Sequence, residues 1–140
     1  MLRVWSGGKL VRGPENLPAL AATVGKDFPD ADLDFGADFT ALASFESAGD
    51  GTLISMCALA GKWSPEAKAL FLRGGRLVYD IGFLGAMSGG PNVNDGKIHT
   101  VALRVRAGAA RLWLDGELIA EKAAFMKPGG KRASNSNCLR

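Results

Sequence analysis

The chain has 140 residues, enough for one domain with a core of its own. A hydrophobic share of 47% and a charged share of 22% are ordinary for a globular protein and argue against a collagen-like or wholly disordered chain, even with 19 glycines. The formal charge is +3, and much of the excess sits in Lys127, Lys131, Arg132 and Arg140, so the body is close to neutral and no nucleic-acid partner is expected.

In chain order, Leu2–Trp5 suits an edge strand, and Pro14 and Pro18 bracket a loop. Residues 17–24 fit either a helical turn or a short strand, and Phe28-Pro29-Asp30 is a turn signal. Residues 1–32 thus define no clear unit. Regular alternation starts after Leu33: Phe39, Ala41, Ala43 and Phe45 share one face, with Thr40, Ser44 and Glu46 opposite. Gly49-Asp50-Gly51 turns the chain into a second strand, Thr52 to Leu59, and Ala60 to Glu66 form a loop holding Trp63.

Ala69 to Ile81 reads as a hairpin hinged on Gly74-Gly75. That register pairs Arg73 with Arg76, Leu72 with Leu77 and Leu70 with Tyr79. The leucines and Tyr79 then form one apolar patch, while two like charges meet on the other side unless an anion or a ring separates them. Gly82 to Pro91 is glycine-rich and expected to be a loop. Asn92-Val93-Asn94-Asp95-Gly96 launches a strand with Val101, Leu103 and Val105 on one side and Ala102, Arg104 and Arg106 on the other. Arg111 to Leu114 follows, ends in an Asp115-Gly116 turn, and pairs back onto Glu117 to Phe125. Residues 126–140 lack a strand pattern and read as a disordered basic tail. About seven strands at this spacing point to an all-β sandwich.

No run is long and apolar enough to span a bilayer, and the first residues hold no stretch of signal-peptide length. Cys57 reads as a small buried hydrophobe and Cys138 lies in the tail, so a disulfide between them stays an open question. With no C-x-x-C spacing and a single histidine, His99, a zinc site is not expected.

Several segments, in order, resemble laminin G-like domains of the concanavalin A-like lectin/glucanase superfamily. They are D-F-T-A-L-A-S-F-E-S with D-G-T-L-I-S, A-L-F-L-R-G-G-R-L-V-Y-D-I-G, V-N-D-G-K-I-H-T-V-A-L and A-R-L-W-L-D-G-E-L, within residues 33–125. The resemblance implies an antiparallel jelly-roll sandwich and a non-catalytic, adhesion-type module of a larger extracellular or cell-envelope protein. Its partner would be a polysaccharide, a glycoprotein or an adjoining domain. Two departures stand out: Ile98, His99 and Thr100 replace the tryptophan and histidines usual after N-D-G-K, and the tail supplies no final strand. A sandwich lacking that last strand would leave an edge open.

The expected ligand-binding residues are Trp63, Asn92, Asn94 and Asp95 in loops, with Arg73 and Arg76 as a second, cationic set. Arg104, Arg106 and Arg111 would join that set if they share its face, and guanidinium forks suit sulfated or uronic polysaccharides. Asn92, Asn94 and Asp95 offer the oxygens a calcium ion needs, as do turns closed by their own Asx hydrogen bonds. Calcium is the one cofactor the resemblance allows. His99 and Trp113 are expected to be structural. A glycosidase needs two carboxylates roughly 5–10 Å apart. Asp32 and Asp34 lack a third acid in step, and Glu117 with Glu121 is too widely spaced, so no enzyme is expected. The alternatives are a packing module without a free ligand and a degenerate glycoside hydrolase.

Overall fold

The computed structural model describes residues 2–6, 9–12, 38–56, 63, 65 and 67–125. Within them the chain is all strand: β1 (Leu2–Ser6), β2 (Lys9–Arg12), β3 (Phe39–Glu46), β4 (Gly51–Met56), β5 (Lys68–Arg73), β6 (Arg76–Ile81), β7 (Gly85–Gly89), β8 (Ile98–Arg106), β9 (Ala109–Leu114) and β10 (Glu117–Lys122). They form two antiparallel sheets, ordered β10-β9-β8-β3-β1-β2 and β4-β5-β6-β7.

The period-2 reading is borne out where it was firmest. Phe39, Ala41 and Ala43 on β3, Val101, Leu103 and Val105 on β8, and Ala110, Leu112 and Leu114 on β9 are all buried on the inner face of the larger sheet. Leu70, Leu72, Leu77, Tyr79 and Ile81 form the facing layer, in the expected register about Gly74-Gly75. Val93 and Phe125 plug the two ends of this core, the latter edge-on to Tyr79 with ring centroids 5.7 Å apart. Burying such side chains is worth about 1.5–3 kcal/mol each, and it drives the two sheets together.

Two differences from the sequence reading have physical causes. First, β1 does not form an edge: it lies between β3 and β2, an arrangement that long-range pairing alone decides. Second, the segment Gly82 to Pro91 is not all loop but contains β7. Met87 reaches the core, and Gly89 and Gly90 are there because β10 presses on them. A bulge between Leu118 and Ala120 brings Ile119 over β7, so a Cβ on Gly89 would lie 1.9 Å from the Ile119 carbonyl oxygen. This contact closes one side of the sandwich. The loop residue Trp63 packs on Ala69, Phe71 and Val78, so the outer face of the smaller sheet is itself partly apolar and covered.

Cys57, Cys138 and residues 126–140 lie outside the described residues, and so do the pairing of those cysteines and the question of a final strand. A cavity of about 10 Å³ lies between the sheets beside Tyr79, with Phe39, Ile54 and Lys68 in its wall. That volume suits one water and excludes a sugar ring, so this interior is not a ligand chamber.

Gly89→Ala will destabilise the fold by about 1–3 kcal/mol, because the added methyl meets backbone that cannot step aside. Chemical denaturation of parent and variant measures the loss.

Candidate functional site

One end of the sandwich gathers most of the polar residues singled out in the sequence. Four connections meet there: Ser47–Asp50 between β3 and β4, Gly74-Gly75, residues 90–97 between β7 and β8, and Asp115-Gly116. Asp50 ties the first to the second, its carboxylate oxygens accepting the Gly74 N–H at 2.6 Å and the Gly75 N–H at 2.8 Å. These two bonds, the Gly75 one foremost, hold its carboxyl below the usual carboxylate range. Gly75, at φ +77°, has no room for a side chain: a Cβ there would come within 2.6 Å of Asn94 Oδ1 and 3.1 Å of Asn92 Cγ. The Val93 N–H donates to the Gly75 carbonyl at 2.8 Å and the Gly96 N–H to that of Ser47 at 3.0 Å.

His99 lies at the centre of this rim, on the core-facing side of β8 and tilted against Phe45. Its Nδ1 is 2.7 Å from Asp115 Oδ2 and its Nε2 is 3.0 Å from Asp95 Oδ1. Asp115 in turn accepts the Thr100 N–H at 2.8 Å, and Asp95 the Lys97 N–H at 3.0 Å in an Asx turn. Asp115, then Asp95, raise the imidazole above its ordinary value, while His99 lowers both carboxyls. The donor set does not fit calcium. The Asp95 oxygen nearest His99 already serves two hydrogen bonds, and among the described residues no group of three or more His, Cys, Asp or Glu is arranged to hold a metal ion.

Arg73 and Arg76 pair as expected, on the outer side of the smaller sheet. A ring and anions relieve the like-charge contact: the Arg73 guanidinium lies over Phe71 at 4.8 Å and within the influence of Asp50 and Asp80. Burial holds the Asp80 carboxyl above its usual range, against the pull of Arg73. Trp63 borders this same face as packing and Asp95 is bonded to His99, while Asn92 and Asn94 lie close over Gly75.

The remaining arginines do not share that face. Arg104 and Arg111 point outward from the larger sheet, where two cross-strand rows run side by side. One is Thr40–Arg104–Arg111–Glu121 and the other Leu42–Ala102–Trp113–Leu118. Trp113, expected to be structural between two leucines, faces away from both: strand alternation sends Leu112 and Leu114 inward and the indole out. The Arg104 guanidinium stands over its ring at 5.4 Å, and Arg111 pairs with Glu121 at 3.0 Å. The signal for this surface was present in the sequence as the A-R-L-W-L alternation, but its rows need the register of four strands.

Among solved structures, the domains LG4-5 of the mouse laminin α1 chain superpose with a TM-score of 0.61 at 19% identity, over 81% of this chain and 31% of that one. The fold is laminin G-like. Identity this low speaks for fold alone, and the chain spans about a third of the laminin chain it matches. No protein-family model and no curated protein matches the sequence.

Asp50 stabilises the rim only while ionised. Because its folded value is depressed, that stability is present above the ordinary carboxyl range and fades as pH falls through the lowered one. Asp50→Ala will lower the melting midpoint at pH 7, and the gap to the parent will shrink below about pH 4, as thermal melts across pH will show.

Proposed function

We propose that this chain is a non-catalytic recognition module that engages an acidic polysaccharide or glycoprotein, in an extracellular setting, through the outer face of its larger sheet. The observation that carries the reading is the pair of adjacent rows on that face. An outward indole offers a stacking surface for a sugar ring, and Arg104 and Arg111 stand one row away to meet carboxylate or sulfate groups. Strands lie about 4.8 Å apart, so the rows cross four strands over about 14 Å, a span suited to an extended polymer. The rim expected to bind ligand offers less, since its carboxylates and His99 already hold one another.

The second reading is packing against an adjoining domain. It is favoured by Leu118, 50% exposed, and Ile98, 74% exposed, on the same outer face.

Titration calorimetry with a polyuronate, a sulfated polysaccharide and a neutral glucan separates the readings. An anionic polymer should bind with an affinity that falls with salt, and Trp113→Ala or Arg104→Ala/Arg111→Ala should weaken it about tenfold or more. Equal loss in Arg73→Ala/Arg76→Ala but not in those variants would move the site to the other sheet. No binding by any polymer would leave the packing role.

A further inference from the structure

The rim carries a device that the recognition reading does not use. Both ring nitrogens of His99 face carboxylate oxygens at hydrogen-bonding distance, Nδ1 toward Asp115 and Nε2 toward Asp95. A neutral imidazole has one N–H and cannot donate to both; only the imidazolium satisfies this geometry. The charged ring therefore joins the β7–β8 connection, through Asp95, to the β9–β10 turn, through Asp115.

The two sides of this bridge are unequal. Asp115 is fixed to the sheet by two further bonds, its Oδ1 accepting the Thr100 N–H and its own N–H donating to the Thr100 carbonyl, each at 2.8 Å. Asp95 belongs to an exposed turn. Besides His99 it holds the Lys97 N–H and, at 3.6 Å, the exposed Lys97 ammonium, a contact of little worth in water. If the ring keeps one proton, the shorter Nδ1 contact retains it. The Nε2 lone pair then confronts Asp95 Oδ1 at 3.0 Å, which is repulsive.

We propose that His99 is a pH-operated clasp: as the imidazolium it fastens residues 94–97 to the rim, and on losing its proton it releases Asp95 and lets that turn open while Val93 and Asp115 stay in place.

The surrounding charges agree on direction. Asp115 and Asp95 favour the imidazolium, Phe45 of β3 contributes an uncharged ring, and Lys97 opposes only from an exposed position. The raised imidazole makes the clasp complete below about pH 6.5 and loosens it as pH rises through the elevated value; the depressed carboxyls give way only in acid. Release thus falls on the neutral-to-alkaline side. Val93 remains because its side chain is fully buried and its N–H is bonded to Gly75, whereas Gly96 reaches the body of the fold through one exposed bond to Ser47.

These amides provide internal controls. Exchange protection, normalised to intrinsic rates, is to be followed by NMR at Gly96, Val93 and Thr100 from pH 6 to 9 while the His99 ring is titrated in the same samples. Gly96 should lose protection several-fold in step with His99, with Val93 and Thr100 unchanged. In Asp95→Asn the ring should titrate lower and the Gly96 step should move with it; in His99→Gln the step should vanish. A Gly96 amide indifferent to the His99 titration overturns the clasp. So does equal loss at all three amides, or a ring that titrates at or below its ordinary value in the parent.

Discussion

Everything in this protein depends on two inner faces meeting. β3, β8 and β9 present alternate small and branched side chains, and β5 and β6 answer with Leu70, Leu72, Leu77, Tyr79 and Ile81. Once that layer is buried, the chemistry available to the described residues is limited to the strand ends and the outer faces, and the outer face of the smaller sheet is partly covered by Trp63. The Gly89–Ile119 contact shows how tightly the layer is drawn. β10 folds over β7 closely enough to exclude even a methyl group, and the bulge that permits this turns Leu118 outward as Ile119 turns in.

The end and the outer face of the larger sheet differ in how their polar groups are engaged. At the rim, Asp50, Asp95, Asp115 and His99 are used to fasten four connections to one another, with backbone amides as most of the partners. Such groups stiffen the end of a sandwich, and the ones engaged in this way have little left to offer a ligand. The outer face of the larger sheet is different. Its Arg104–Trp113 stack and Arg111–Glu121 pair are partly exposed, weak in water, and open to exchange for contacts with a partner. The proposed recognition across a sheet face would suit an extended ligand, and the proposed charge-dependent fastening would suit conditional order at the rim. The two need not act together, since they lie on different surfaces of the fold.

Much of the fold was legible in the sequence. The alternation at Phe39–Glu46, the hinge at Gly74-Gly75 and the Asp115-Gly116 turn each specify their own local geometry. The structure has them as read. The segment around Met87 was not legible. Its glycines signal a loop to any local rule, yet they answer to a carbonyl on a strand some thirty residues away. The direction of Trp113 follows from alternation, which puts it on the face opposite its flanking leucines, but its row of neighbours across four strands does not.

The sequence by itself determined which residues lie on the same face of a strand, because the pleat is a property of the backbone over two residues. It also determined where the chain turns, since glycine and aspartate set those dihedral angles locally. Only the tertiary structure decided that β1 lies inside its sheet, that Arg104 and Arg111 are parted from Arg73 and Arg76, and that two aspartates twenty residues apart close on one histidine. Those outcomes depend on which strands pair and how the sheets stack. Burial of the whole inner surface settles both at once, and no local pattern records the result.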